Sequence, residues 1–413
     1  MCFGGVHRFN LSVEIKGHAM RPLVSHGFLD IELHENLTNI CEVLPKAKEI
    51  ARLGPDQKIS GDTWRFLNRG LEHVDEYVGW HIGELYREGT YGKIYKAHRM
   101  LVKRRTDGLF DVIEAPTEVI VKRTMPPAGS DVLPEEDVTA HTSESLLHVL
   151  AWQTMLQTVT PWAIPRPFEV FGEAGPASVG WKQMSLCMSY VHGRTLYSFM
   201  QKTWSKDTKE ANSRTFLEIM AQTAFILHHL QNRLRLNHRD VKVNNILIRK
   251  GSGSGSGSSG PVRLELGGLS FSSEYELTLI DFGFACVGCP PPKAPTTAFQ
   301  AGSWFPMGEL CCKAGRDLAQ LIFCIHCYFP VQEYLTAPVV AAVRAWMQIP
   351  WSGGIANALE GFTKEGRPRR AGAKGAPEYN TGIYEFLRRP DVDPTTCSPI
   401  AIFKACQSLA SAA

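Results

Sequence analysis

The stretch NHRDVKVNNILI, residues 237–248, limits what this chain can become more than any other. It sets Asp240, Lys242, Asn244 and Asn245 directly against the apolar run Ile246–Ile248. A surface loop needs no such neighbour, and a core strand tolerates polar groups only when they are partnered. The cluster therefore reads as a polar loop pinned to a buried strand. Further on, LIDFGFA (residues 279–285) repeats the arrangement: an apolar strand ends in the carboxylate of Asp281, and Gly283 lets the chain turn sharply.

Before these two stretches the pattern is strand-like. IGELY, GKIYKAH and EVIVKRT bunch or alternate β-branched and aromatic residues, and Asp107-Gly108 between LVKRR and LFDVI predicts a hairpin inserted between strands. SESLLHVLAWQTMLQ has helical periodicity, PFEVF and WKQMSLCMSYV return to strands, and after Thr203 the chain is mostly helical. A β-rich part followed by an α-rich part predicts a segregated α+β plan in two lobes, with a cleft between them. The expected boundaries are a helical extension over 1–79, a β-rich lobe over 80–190 and a helical lobe over 191–413. In the extension Trp64, Leu67, Leu71, Val74 and Val78 recur at alternating three and four after a cap at Asp62. That spacing predicts an amphipathic helix docked on the β-rich lobe, or offered to a partner. Residues 251–260, GSGSGSGSSG, bury no apolar surface and read as a flexible joint. So regular a repeat has the look of an engineered replacement for a longer loop, natural low complexity being the alternative.

Asp281 at a strand end is a natural Mg²⁺ ligand, since Mg²⁺ takes oxygen donors and keeps phosphates beside them; Asn245 offers a second oxygen. REGTYGKIYKA (residues 87–97) places Gly89 and Gly92 where backbone N–H groups can approach phosphates, though a plain hairpin with glycines at its turn fits equally. VIVK ends an apolar strand on Lys122, either an edge residue in solvent or a phosphate-binding cation.

In this order the four pieces resemble the signature set of eukaryotic-type protein kinases of the serine/threonine type. The resemblance covers roughly residues 80–330. It implies a two-lobed fold that binds ATP with Mg²⁺ and transfers the γ-phosphate to a Ser or Thr hydroxyl on a protein substrate. Gly89, Thr90, Tyr91, Gly92 and Ile94 would cover the nucleotide, and Lys122 would grip the α- and β-phosphates. His238 and Arg239 precede Asp240, the base that orients the acceptor hydroxyl. Lys242 would offset charge on the transferring phosphoryl group, and Asn245 and Asp281 would hold the metal ahead of Phe282 and Gly283. QMSLCMSYVHG is similar to the segment that holds adenine, with Met188 at the back of the pocket and the backbone of Ser189 and Val191 against the base. Asp317, opening an apolar helix, would brace the catalytic-loop backbone, an ordinary N-cap being the alternative. Glu144 is the expected partner of Lys122. Its position predicts a place near the first turn of its helix, and Glu135 and Glu136 remain alternatives.

Several positions depart from the pattern. Arg87 replaces the first glycine of the loop, Ile120 stands where a small residue is usual, and Lys122 follows Gly92 by thirty residues, which requires an insertion. SWFPMGE (residues 303–309) stands in place of A-P-E, so substrate docking is expected to be unusual. Arg239 suggests control by phosphate on Thr296, Thr297 or Ser303. The shortened helical lobe is similar to kinases encoded by some large DNA viruses. Arg87, Ile120 and the irregular segment also leave room for a nucleotide-binding scaffold without turnover, and the fold is shared by kinases of small metabolites.

Composition narrows the partners. A net charge of +3 on 44 basic and 41 acidic residues implies no general attraction to nucleic acid, and the basic runs 103–105 and 367–370 read as solvated loops. No apolar stretch reaches the roughly 18 residues that a membrane span needs. Eleven scattered cysteines and an N-terminus without a signal layout point to a reducing, intracellular setting, cytoplasmic or nuclear. Cys286, Cys289, Cys311, Cys312, Cys324 and Cys327 offer either a zinc site or small apolar packing residues.

Overall fold

The computed structural model describes residues 64–68, 75–89, 92–104, 106, 110–174, 181–251, 261–288, 297–301, 309–351, 354–357, 383–384 and 386–412. The architecture is α+β. Contacts divide the chain into two compact units, one containing Asn39–Val149 and Pro165–Tyr190, the other containing Leu150–Ile164 and Val191–Ala413.

The first unit is built on six strands: β1 (Trp64–Asn68), β2 (Glu76–Gly89), β3 (Gly92–Arg104), β4 (Phe110–Thr124), β5 (Pro167–Ala174) and β6 (Trp181–Ser189). They form one sheet in the order β1-β2-β3-β4-β6-β5, antiparallel throughout. The helix expected over Trp64–Val78 is not formed. β1 instead pairs with β2 from Trp64↔His81 to Asn68↔Tyr77, and Tyr77, Val78 and Trp80 are buried in the sheet. The three-and-four spacing is incidental: an aromatic run with Trp64 and Phe66 beside an open sheet edge gains more from pairing than from coiling. The remainder of the expected extension, residues 1–63 and 69–74 with Leu71 and Val74 of that spacing, lies outside the described residues.

The strands on either side of Asp107-Gly108 pair as the expected hairpin, and they do so as lengthened ends of β3 and β4. β3 and β4 run 13 and 15 residues and stay paired to Arg104↔Phe110, with register shifts near Arg99 and Leu101. α1 (Glu135–Leu156) starts just after Pro134, with Glu135, Glu136 and Asp137 in its first turn, where carboxylates complement the helix dipole.

The second unit is mainly helical: α2 (Leu196–Thr203), α3 (Lys209–Leu234), α4 (Arg316–Tyr328), α5 (Val331–Tyr334), α6 (Ala337–Trp346) and α7 (Pro399–Ala412). α3 is buried along most of its length and packs against α7. Short strands carry the site: β7 (Arg194–Thr195), β8 (Leu236–Asn237), β9 (Ile246–Lys250), β10 (Val262–Leu266), β11 (Leu269–Ser273), β12 (Tyr275–Leu279), β13 (Cys286–Gly288) and β14 (Thr297–Gln300). β9 and β12 pair from Ile246↔Leu279 to Lys250↔Tyr275. Between them β10 and β11 form a hairpin not expected from the sequence. Gly267 and Gly268 turn it at φ of 59° and 78°, the left-handed region that glycine enters without penalty. Residues 252–260 of the Gly/Ser tract lie outside the described residues.

Candidate functional site

In the first unit the glycine segment is a tight hairpin in which Gly89 pairs with Gly92; Thr90 and Tyr91 lie outside the described residues. Gly92 has φ of 150°, and a Cβ there would meet the Arg123 carbonyl oxygen at 2.1 Å. This glycine is therefore required by the close approach of β4 itself. Ile94 stands opposite Lys122 in the ladder, and Lys122 opposite Leu186.

Lys122 Nζ lies 2.5 Å from Glu144 Oε1. Glu144 is in the middle of α1 rather than in its first turn. Glu135 and Glu136 occupy that turn, and the early start of the helix at Glu135 is what displaces them. Nearby, His141 Nδ1 and Thr124 Oγ1 share a hydrogen bond of 2.9 Å. Burial, then the charge of Lys122, lowers the His141 pKa to about 3, so the imidazole stays neutral and adds no second positive charge beside the lysine.

Met188 stands opposite Ile120 in the sheet and is buried. The Ser189 backbone N–H donates to the Arg166 carbonyl at 2.8 Å, and its hydroxyl accepts from the Arg166 N–H at 2.9 Å. The Ser189 N–H, expected against a base, is thus engaged by Arg166. Val191 begins the second unit's long final segment and is half-buried.

The second unit gathers the remaining residues. The loop after β8 holds His238, Arg239 and Asp240, all but sealed from solvent. Asp317, fully buried at the start of α4, receives the backbone N–H of His238 on one oxygen (2.9 Å) and that of Arg239 on the other (2.8 Å). Gly315 holds the N-cap position of α4, so Asp317 spends both oxygens on the loop and not on its own helix end. This grip holds Arg239 at φ of 64°, a conformation that non-glycine residues enter only at a cost and keep only when their surroundings fix it.

Asp240 Oδ2 accepts from Lys242 Nζ at 2.8 Å and from Asn245 Nδ2 at 2.7 Å. Asn245 Nδ2 also reaches the Asp240 carbonyl at 3.1 Å. Burial pushes the Asp240 pKa above the ordinary carboxylate range, Lys242 pulls it back, and the charge of Asp281 pushes it up again. Asp281 itself has φ of 70° where β12 gives way to the turn. Phe282 is fully buried, with its ring 4.7 Å from that of His238, and His238 Nε2 lies 3.2 Å from the Ile280 carbonyl. The Ile280 N–H donates to the Asn245 carbonyl at 3.0 Å, tying the two motifs together.

The donor set suits a hard cation. Asn245 commits its amide nitrogen to Asp240, which leaves the amide oxygen as its ligating atom, and Asp281 supplies a carboxylate. Two protein oxygens with phosphates completing the shell is the usual manner of Mg²⁺ binding. Among the described residues no group of three or more His, Cys, Asp or Glu is placed to hold a metal. Cys324 is buried in α4 and Cys286 in β13; Cys289 lies outside the described residues.

The Arg239 guanidinium is fully buried and pairs with Glu309 Oε2 at 3.2 Å. It also donates to Gln300 Oε1 (3.1 Å) and to Thr297 Oγ1 (3.2 Å), while the Thr297 hydroxyl donates to the Glu309 carbonyl at 2.6 Å. Glu309 takes a second arginine, Arg316, at 2.7 Å, and Arg316 also approaches Asp317 at 3.4 Å. Two positive and two negative groups thus neutralise one another. Thr296 and Ser303 lie outside the described residues. Glu309 and Arg316 were not singled out from sequence, although Glu309 closes the SWFPMGE segment that stands where A-P-E was sought. Tyr384, whose hydroxyl donates to Asp240 Oδ1, was also missed, and no local signal marks it.

Among the described residues no helix is long and apolar enough to cross a membrane. No protein-family model matches the chain, and no curated protein matches it. Among solved structures, the crystal structure of the BubR1 kinase domain is similar at 13% sequence identity and a TM-score of 0.44, covering 92% of this chain and 94% of that one.

Proposed function

We propose that the chain is a serine/threonine protein kinase that transfers the γ-phosphoryl group of Mg·ATP to a protein hydroxyl. The observation that carries this reading is the setting of Asp240. Its loop is gripped by both oxygens of Asp317, and Lys242 and Asn245 converge on one of its own oxygens. Phosphoryl transfer has a loose transition state that asks for alignment and charge neutralisation rather than covalent help. A carboxylate fixed this firmly, beside one cation, meets that need.

In this reading Asp240 orients the acceptor hydroxyl and takes its proton. Lys242 offsets charge on the group in transit. Lys122, held by Glu144, aligns the α- and β-phosphates. Bound Mg²⁺ would neutralise charge on the phosphates, with Asn245 and Asp281 as the residues that hold it. A nucleotide-binding scaffold is the second reading, and the engagement of both Asp240 oxygens in internal hydrogen bonds favours keeping it in view.

Radiolabelled ATP with generic protein substrates separates the two. Asp240→Asn is expected to abolish transfer while nucleotide binding survives. Wild-type protein that binds Mg·ATP yet labels neither itself nor any substrate would leave the scaffold reading standing.

A further inference from the structure

The loop around Asp240 uses only one of that carboxylate's oxygens. Lys242 and Asn245 both donate to Oδ2. Oδ1 accepts the phenolic O–H of Tyr384, which lies 144 residues further along the chain. A hydroxyl donating to this carboxylate is what an acceptor substrate would present to Asp240 as base. We propose that Asp240 Oδ1 is the acceptor-hydroxyl subsite and that Tyr384 is its built-in occupant, which incoming hydroxyls must displace. The inference rests on the kinase reading of Asp240.

The contact belongs to a built arrangement rather than a chance approach. Tyr384 sits on a short helical stretch whose apolar residues Ile383 and Leu387 are buried. The Lys313 ammonium ties down the end of that stretch, donating to the carbonyls of Leu387 at 2.7 Å and Arg389 at 2.6 Å. Lys313 is itself locked to the residue before the catalytic loop. Its backbone N–H donates to Asn237 Oδ1 at 2.7 Å, and Asn237 Nδ2 donates to its carbonyl at 2.9 Å. One continuous path of bonds therefore runs from Asn237 through Lys313 to the Tyr384 segment and back to Asp240. Beyond it, the Arg389 guanidinium lies 4.5 Å from the Trp351 ring centroid, and Phe386 meets the same ring edge-on at 6.0 Å.

The chemistry fits an occupant rather than a participant. Burial, then the charge of Asp240, raises the Tyr384 pKa far above its usual value, so the phenol remains a neutral donor. A neutral O–H partners the second oxygen of a carboxylate that is only 1% exposed, which offsets the cost of burying its charge. An entering Ser or Thr hydroxyl can replace that hydrogen bond one for one, but only once the Tyr384 side chain has moved aside.

The test uses the full chain and titrates casein at saturating Mg·ATP for wild type, Tyr384→Phe and Tyr384→Ala. The expected result is a lower KM for casein and a kcat/KM raised roughly tenfold in Tyr384→Ala, the worth of one hydrogen bond to a charged group. Tyr384→Phe removes the same hydrogen bond but leaves the ring in the way of an entering hydroxyl, so it is expected to rise by a smaller factor, and the KM for Mg·ATP should stay unchanged in both. Casein phosphorylation no faster in either folded variant than in wild type would overturn it and leave the kinase reading intact. Absence of transfer by all three proteins would remove both together.

Discussion

The Lys122–Glu144 pair and the group around Arg239 place opposite charges out of water in different ways. Lys122 Nζ and Glu144 Oε1 lie 2.5 Å apart, with side chains 13% and 10% exposed. Arg239, Arg316, Glu309 and Asp317 are sealed at 1% or less and bind one another and the backbone through many contacts. An ion pair whose two members both keep an edge in solvent can be broken without leaving a charge wholly stranded. The sealed group has no such outlet, and removal of one member strands another. The first arrangement suits a part that must adjust to what it binds, the second a part that must never move.

The comparison can be broken at three points. Glu309→Gln should have the largest effect, costing about 3–5 kcal/mol in denaturant unfolding because two buried arginines are then left facing one carboxylate. A loss under about 1 kcal/mol would instead rank the sealed group with ordinary surface pairs. Lys122→Met should cost less stability, roughly 1–3 kcal/mol, as Glu144 takes up a proton. Its phosphoryl transfer should nevertheless fall by about a hundredfold or more, worth about 2.7 kcal/mol of barrier. Equal destabilisation by the two substitutions would erase the distinction between the regions. Thr297→Val should have the smallest effect, about 1–2 kcal/mol for two lost hydrogen bonds, with transfer retained. Loss of transfer in that variant would restore a regulatory role for the hydroxyl that its contacts with Arg239 and Glu309 argue against.

What was legible in the sequence was local. Ile246–Ile248 and Leu277–Leu279 read as strands because an apolar run beside a polar loop has few other solutions, and the structure pairs them. The polar contacts of Asp240 with Lys242 and Asn245 follow from their closeness in the chain. The start of α1 was hidden because Glu135–Asp137 and His141–Ser143 give no apolar stripe, so a polar opening turn passed for a loop and Glu144 was placed too near the end. Trp64–Val78 misled in the opposite direction: its spacing matched a helix, but a neighbouring strand edge decided the outcome. Tyr384 could not be read at all. Its contact with Asp240 joins segments 144 residues apart, and nothing in GIYEFL announces which carboxylate it will meet.

The ladder between β9 and β12 is fixed residue by residue from Ile246↔Leu279 to Lys250↔Tyr275, and just past its end the Gly251 N–H meets the Glu274 carbonyl. Closing a longer span across so firm a clasp grows dearer only with the logarithm of its length, about 0.6 kcal/mol for each doubling. The 252–260 interval is therefore a natural place to splice in a fluorescent reporter or an affinity handle, since both strands of the pairing that orders Asn245 and Asp281 lie outside the spliced segment.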